Sequence, residues 1–177
     1  NMGFKEIEVG FPSASQPGFD FVRQLIAEDR DPEDVTIQVL TQCRDELIDR
    51  TYESIEGCSK AIVHFYNSTS VLQRRVVFGL DKDGITKIAT DAAKRCRKLE
   101  QNMGNSQIRY EYSPESFTGT EIDYVLELCA AVVDLIEPDA DPKLIFTFPA
   151  TVEMDTPHLS GAVLESVHPT VPTRGPA

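Results

Sequence analysis

His64, Ser113, Glu115, Thr151 and Glu8 are the side chains whose types could do chemistry. An imidazole and carboxylates can give and take protons, and hydroxyls can hold a polar ligand in place. Each has an ordinary explanation when taken singly. A lone strand histidine is usually a satisfied core residue. Glu115 after Ser-Pro can cap a turn, Thr151 can cap locally, and Glu8 can be paired structurally. Leu40 is core in either account. Their positions argue for more. Polar residues recur where successive apolar runs end: Gln42, then His64 and Asn67, then Ser113 and Glu115, then Thr151 and Glu153.

The elements that must position them alternate. Lys5 to Phe11, Val35 to Thr41, Lys60 to Tyr66, Gln107 to Tyr112 and Lys143 to Phe148 read as strands, rich in β-branched and aromatic residues. Helical patterns separate them. Phe19 to Glu28 ends at Asp31-Pro32, and Arg44 to Glu56 ends at Gly57, a natural C′ residue. Asn67-Ser68-Thr69-Ser70 could cap a short turn over Val71 to Phe78. Ile85, Ile88, Ala89, Ala92, Cys96 and Leu99 recur at helical spacing. Thr120 could cap Glu121 to Ile136, with Pro138 beyond. Pro12 to Gly18 reads as a loop.

Strands alternating with helices imply an α/β fold with parallel pairing through right-handed crossovers. An open doubly wound sheet and part of a (β/α)8 barrel both remain open at this point. The recurrence of polar residues at strand ends favours the barrel, whose sites gather at that face. No G-x-G-x-x-G or Walker A pattern is present, so nucleotide binding is unsupported.

The totals exclude other classes. A formal net charge of -12 over 177 residues argues against nucleic acid as a partner. No apolar run approaches the ~20 residues of a membrane span. Cys43, Cys58, Cys96 and Cys129 make no C-x-x-C clip. Cys96 and Cys129 lie on apolar helical stripes and read as buried free thiols, which fits a reducing compartment. The first residues run straight into a strand, which is neither a signal nor a transit peptide and reads as a sequence entered in mid-domain. The expected division is residues 1–154 as a partial barrel and 155–177 as an irregular, disordered tail, given the prolines and glycine after His168.

Five motifs in order carry a resemblance. They are Met2 to Ser15 (M-G-F-K-E-I-E-V-G-F-P-S-A-S), Gln38 to Gln42, Ala61 to Ser70 (A-I-V-H-F-Y-N-S-T-S), Glu111 to Ser116 (E-Y-S-P-E-S) and Phe148 to Met154 (F-P-A-T-V-E-M). In that order the chain resembles strands two to six of the catalytic TIM barrel of the 2-isopropylmalate synthase family. The resemblance implies a Claisen-type acyltransferase of leucine biosynthesis. It would condense acetyl-CoA with 3-methyl-2-oxobutanoate to give 2-isopropylmalate and CoA. It implies a divalent metal (Mg, Mn or Zn) acting as Lewis acid in the intact enzyme. Leu40, His64, Ser113 and Thr151 match pocket residues, Thr151 on the substrate carboxylate. Glu115 and His64 match candidates for acid–base work, and Glu8 a residue orienting the metal's outer shell. A family homodimer in the cytoplasm is implied, or in the mitochondrion if the source is eukaryotic.

Three departures temper this. The family's Arg-Asp-Gly-x-Gln motif, with its aspartate ligand, is not in this sequence. The His-Pro-His-Asn-Asp motif has only His168-Pro169-Thr170 as an echo, read as coincidence. Thr147 stands where the family usually has Asn. No metal ligand is therefore assigned, and the chain alone is expected to be an inactive fragment. Strands without their barrel neighbours would expose apolar inward faces, making it aggregation-prone or partner-dependent. The alternatives are a homocitrate or citramalate synthase fragment, a lyase of the same barrel superfamily, and a non-catalytic scaffold.

Overall fold

The computed structural model describes residues 3–28, 30, 33–136 and 144–167. Five strands, β1 (Glu6–Gly10), β2 (Thr36–Gln42), β3 (Lys60–Ser68), β4 (Gln107–Glu115) and β5 (Leu144–Phe146), form one sheet in the order β1-β2-β3-β4-β5. Every pair is parallel. The order has no reversal, so it lacks the switch point of a doubly wound sheet.

The helices settle the same question. They are α1 (Gln16–Ala27), α2 (Asp45–Ser54), α3 (Val71–Gln73, continuing as a π-helical turn, Arg74–Phe78), α4 (Lys82–Glu100), α5 (Ile122–Ile136) and α6 (Pro157–Val167). Strand residues Ile37, Val39, Val63, Phe65, Tyr110 and Tyr112 share one buried cluster with Val22 of α1, Ile48 of α2, Ala89 of α4 and Leu128 of α5. The helices of four crossovers therefore cover one face of the sheet. A sheet with sequential strands and helices on one side is an arc of a (β/α)8 barrel, the expected fold class.

Local chemistry sets the boundaries. Ser15 caps α1 by accepting from Gly18 N–H at 3.2 Å, with proline in the first turn. The helix thus starts three residues before the apolar periodicity, inside the stretch expected to be a loop, because proline is tolerated there. Within the stretch Asn67 to Ser70, Ser70 is the residue that caps α3, accepting from Gln73 N–H. Gly57 holds φ +82, the left-handed conformation expected after α2. Thr120 does not cap α5. Its hydroxyl pairs with Thr69 Oγ1 at 2.8 Å and donates to Ser116 O at 3.1 Å. Cys58, Cys96 and Cys129 are buried, as read for the last two. Burial pushes the Cys96 and Cys129 thiols up to about 12.

The stretch expected to be irregular from Asp155 corrects the sequence reading. Residues 157–167 form α6, started by backbone bonds from Leu159 and Ser160 to Thr156 O. Val167 is fully buried in a satellite cluster with Phe117, Val125 and Cys129. The prolines that argued for disorder come after the helix. Those residues, with His168, Asp31-Pro32, Pro138 and Lys143, lie outside the described residues. No described helix is long and apolar enough to cross a membrane.

Candidate substrate pocket at the strand tips

Side chains alternate along a strand, so the residues between the helix-facing ones line the barrel's inner face. On β3 these are Ile62, His64, Tyr66 and Ser68; on β4, Arg109, Glu111, Ser113 and Glu115. Register brings them into rows. Leu40 pairs with His64, His64 with Glu111, and Glu111 with Ile145. One step toward the carboxyl ends, Tyr66 pairs with Ser113, and one further, Ser68 pairs with Glu115.

His64 is the hub. Its Nε2 lies 2.7 Å from Ser113 Oγ, and its Nδ1 lies 3.3 Å from Glu8 Oε2. Gln38 donates to the same Glu8 oxygen at 3.2 Å. Glu111 Oε1 stands 3.6 Å from His64 Nε2, and it accepts a hydrogen bond from Thr147 Oγ1. The His64 and Glu111 side chains are only 13% and 10% exposed, and Ser113 is buried. At such burial, fixed hydrogen bonds rather than solvent orient the groups.

The Glu8 side chain is 44% exposed. It points from β1 onto the inner face, toward His64 and Gln38. That face is also less apolar than expected. Ile62, Leu40 and Ile145 share it with Glu6, Glu8, Gln38, Arg109 and Glu111, and Arg109 forms an ion pair with Glu6.

The upper tier is tied to the loops. Ser68 Oγ donates to Glu115 Oε2 at 2.8 Å, and Thr69 N–H donates to Glu115 O at 3.1 Å. Ser116 follows in a left-handed conformation, φ +58, the one non-glycine residue with positive φ among those described. Such strain persists only where surrounding contacts enforce it. Here Ser116 N–H donates to Thr151 Oγ1 at 3.1 Å. Thr151 is exposed at the rim, beside Glu115 rather than against His64. The structure thus brings Glu8, Leu40, His64 and Ser113 together. It sets Glu115 and Thr151 at the mouth above them.

Beyond the rim runs a groove of about 650 Å³ lined by Val71, Leu72, Arg75, Gly119, Val152 and Met154. Gly119 packs closely there, and an added Cβ would stand 3.1 Å from the Ser70 Cβ, so a larger residue requires Ser70 to shift by a few tenths of an ångström. Sequence reasoning missed Gln38 and Glu111 as members of the site, and singled out Thr147 only as the residue standing where the family usually has Asn. The alternation of helix-facing Val63 and Phe65 with His64 carried the needed signal.

The HMGL-like family model matches residues 1–176. The chain is 61% identical over 164 residues to 2-isopropylmalate synthase of Pseudarthrobacter chlorophenolicus, covering 93% of this chain and 28% of that protein. It is 59% identical over 172 residues to 2-isopropylmalate synthase of Renibacterium salmoninarum, covering 95% of this chain and 30% of that protein. It is 58% identical over 164 residues to the Mycobacterium ulcerans 2-isopropylmalate synthase, covering 93% and 29%. The chain therefore spans about three tenths of the length of these curated relatives.

Proposed function

The chain belongs to the HMGL-like family, and from that premise we propose that it forms part of the substrate pocket of a 2-isopropylmalate synthase. That activity condenses acetyl-CoA with 3-methyl-2-oxobutanoate to give 2-isopropylmalate and CoA. The observation that carries the reading is the row Leu40–His64–Glu111, with Ser113 2.7 Å from His64, at the carboxyl end of consecutive parallel strands. Leu40 supplies an apolar wall for a branched side chain, and His64 and Ser113 supply polar groups to fix its orientation. Thr151 at the mouth is placed to meet a carboxylate. Glu115, held by Ser68, is the acid–base candidate above the pocket.

The family generally uses a divalent metal, and the described residues do not make a site for one by themselves. No group of three or more His, Cys, Asp or Glu that could hold an ion occurs among the described residues. Both His64 nitrogens already face protein partners. We therefore assign no metal ligand in this stretch and derive no step through a metal.

A chimera tests the reading. This chain would replace the corresponding segment of the P. chlorophenolicus synthase, and CoA release would be measured with several 2-oxo acids. The expected result is turnover with 3-methyl-2-oxobutanoate above 2-oxoglutarate and pyruvate. His64→Ala and Ser113→Ala should each lower kcat/KM at least about tenfold, the worth of one good polar contact at ~1.4 kcal/mol. A chimera that folds like its parent but is inactive, or that prefers another 2-oxo acid, would sink the proposal.

A further inference from the structure

The hydrogen-bond partners of His64 fix more than its position. A carboxylate can only accept, so Glu8 Oε2, 3.3 Å from Nδ1, calls for a proton on that nitrogen. Gln38 Nε2 lies 3.4 Å from Nδ1 and 3.2 Å from Glu8 Oε2. Two donors cannot bond each other, so the amide and Nδ1–H converge on the carboxylate. In neutral imidazole Nε2 is then the acceptor, and the partner 2.7 Å away is Ser113 Oγ. A hydroxyl is the one group there that can donate to it. Its proton is thereby committed inward, away from the pocket.

We propose that Glu8 and Gln38 are positioning residues that hold His64 as its Nδ1–H tautomer, making Ser113 present lone pairs to the pocket. The His64–Ser113 pair then takes a proton from a bound hydroxyl or water. As the ligand O–H gives its proton to Ser113 Oγ, Ser113 passes its own to Nε2. The imidazolium so formed lies between two carboxylates, Glu8 at 3.3 Å and Glu111 at 3.6 Å from its nitrogens. Glu111 is itself steadied by Thr147, one residue past the end of β5. A ligand carrying only acceptors, such as a 2-oxo acid carbonyl, is oriented by this hydroxyl when the pair is protonated. The relay deepens the pocket reading by assigning it a direction of proton flow.

The test is a long-range ¹⁵N–¹H correlation spectrum of the full 177-residue chain, with imidazoles ¹⁵N-labelled, at a pH where they are neutral. His64 is assigned from the spectrum of His64→Asn. The expected result is Nδ1–H for His64, with Nε2 bare, opposite to the tautomer histidine favours in water. Glu8→Gln should keep it, because the amide oxygen still accepts. Glu8→Ala should return His64 toward Nε2–H, and the exposed position of Glu8 makes that variant safe for folding. Ser113→Ala should leave the tautomer unchanged but move the bare Nε2 resonance downfield, as an accepted hydrogen bond is lost. A dominant Nε2–H form in the parent chain, or no response to Glu8→Ala, would overturn the inference. An inactive chimera with the Nδ1–H form intact would instead remove the substrate reading and leave the relay standing.

Discussion

Arg74 shows what a single side chain can hold at the edge of this site. It is 9% exposed, donates to both carboxylate oxygens of Glu121 at 2.8 and 2.9 Å, and donates to Thr69 O at 2.8 Å. It thereby ties the end of β3 to the start of α5. Breaking a fully buried pair costs about 3–5 kcal/mol. Glu121 is 42% exposed, so Arg74→Ala is expected to cost about 2 kcal/mol, read from the urea midpoint. The effect depends on pH. Burial works to raise the Glu121 carboxyl, but its own backbone N–H and then Arg74 outweigh it and hold it below the usual carboxylate range. A lowered folded value stabilises at neutral pH and is lost as pH falls through that value. The parent chain should therefore lose stability below about pH 4.5, and Arg74→Ala should flatten that loss. Residue roles were only partly legible beforehand. His64 and Ser113 stood out by type and strand position, and the structure joins them. Gln38 and Glu111 look like ordinary strand polars until the inward parity of their strands is known. Glu8 was placed on the right strand, but its exposure depends on what covers the inner face, which no local pattern encodes.

Elements were more legible than residues, for a physical reason. β2 and β3 are dense in Val, Ile and Phe because one face packs on helices while the other meets the barrel interior. α4 and α5 show clean helical stripes, with Ala89, Ala93 and Cys96 or Val125, Leu128 and Val132 buried. Strand ends were harder. β3 and β4 run two and three residues past their apolar runs, through Asn67-Ser68 and Ser113-Pro114-Glu115, because those polar tips still pair in register. α6 was missed, since the prolines beyond it dominated the composition. Its docking makes a separate prediction. Val167 is fully buried against the cluster of Phe117, Val125 and Cys129. Val167→Ala should cost about 1–2 kcal/mol and weaken amide-exchange protection across 157–167 before the sheet is affected. Unchanged protection there would show that α6 is not held by this contact.

At the scale of the whole molecule, the sequence supported two α/β architectures, and the choice between them came from the strand order and the side on which the helices lie. Long-range pairing is not written in any single window, so only the polar residues recurring at strand ends and the resemblance favoured the barrel in advance. Within the described residues β1 and β5 each have one strand neighbour, and each leaves a row of backbone groups without a ladder partner. The chain on its own is expected to self-associate with rising concentration, seen by light scattering after size exclusion. A sharp monomer at all concentrations would contradict that. It is also expected to release no CoA from acetyl-CoA and 3-methyl-2-oxobutanoate above a metal-free control, because the Arg-Asp-Gly-x-Gln motif of the family is not in this sequence.

The helices' placement on one side has a further consequence. Each β–α unit joins the one before it by the same step, so the arc grows by repetition. Nothing in that scheme requires a single unbroken backbone. A separate polypeptide carrying the remaining strands of a relative could slot between the two outer strands and finish the ring by complementation in trans. Co-expression of the two pieces, followed by co-purification, would show it.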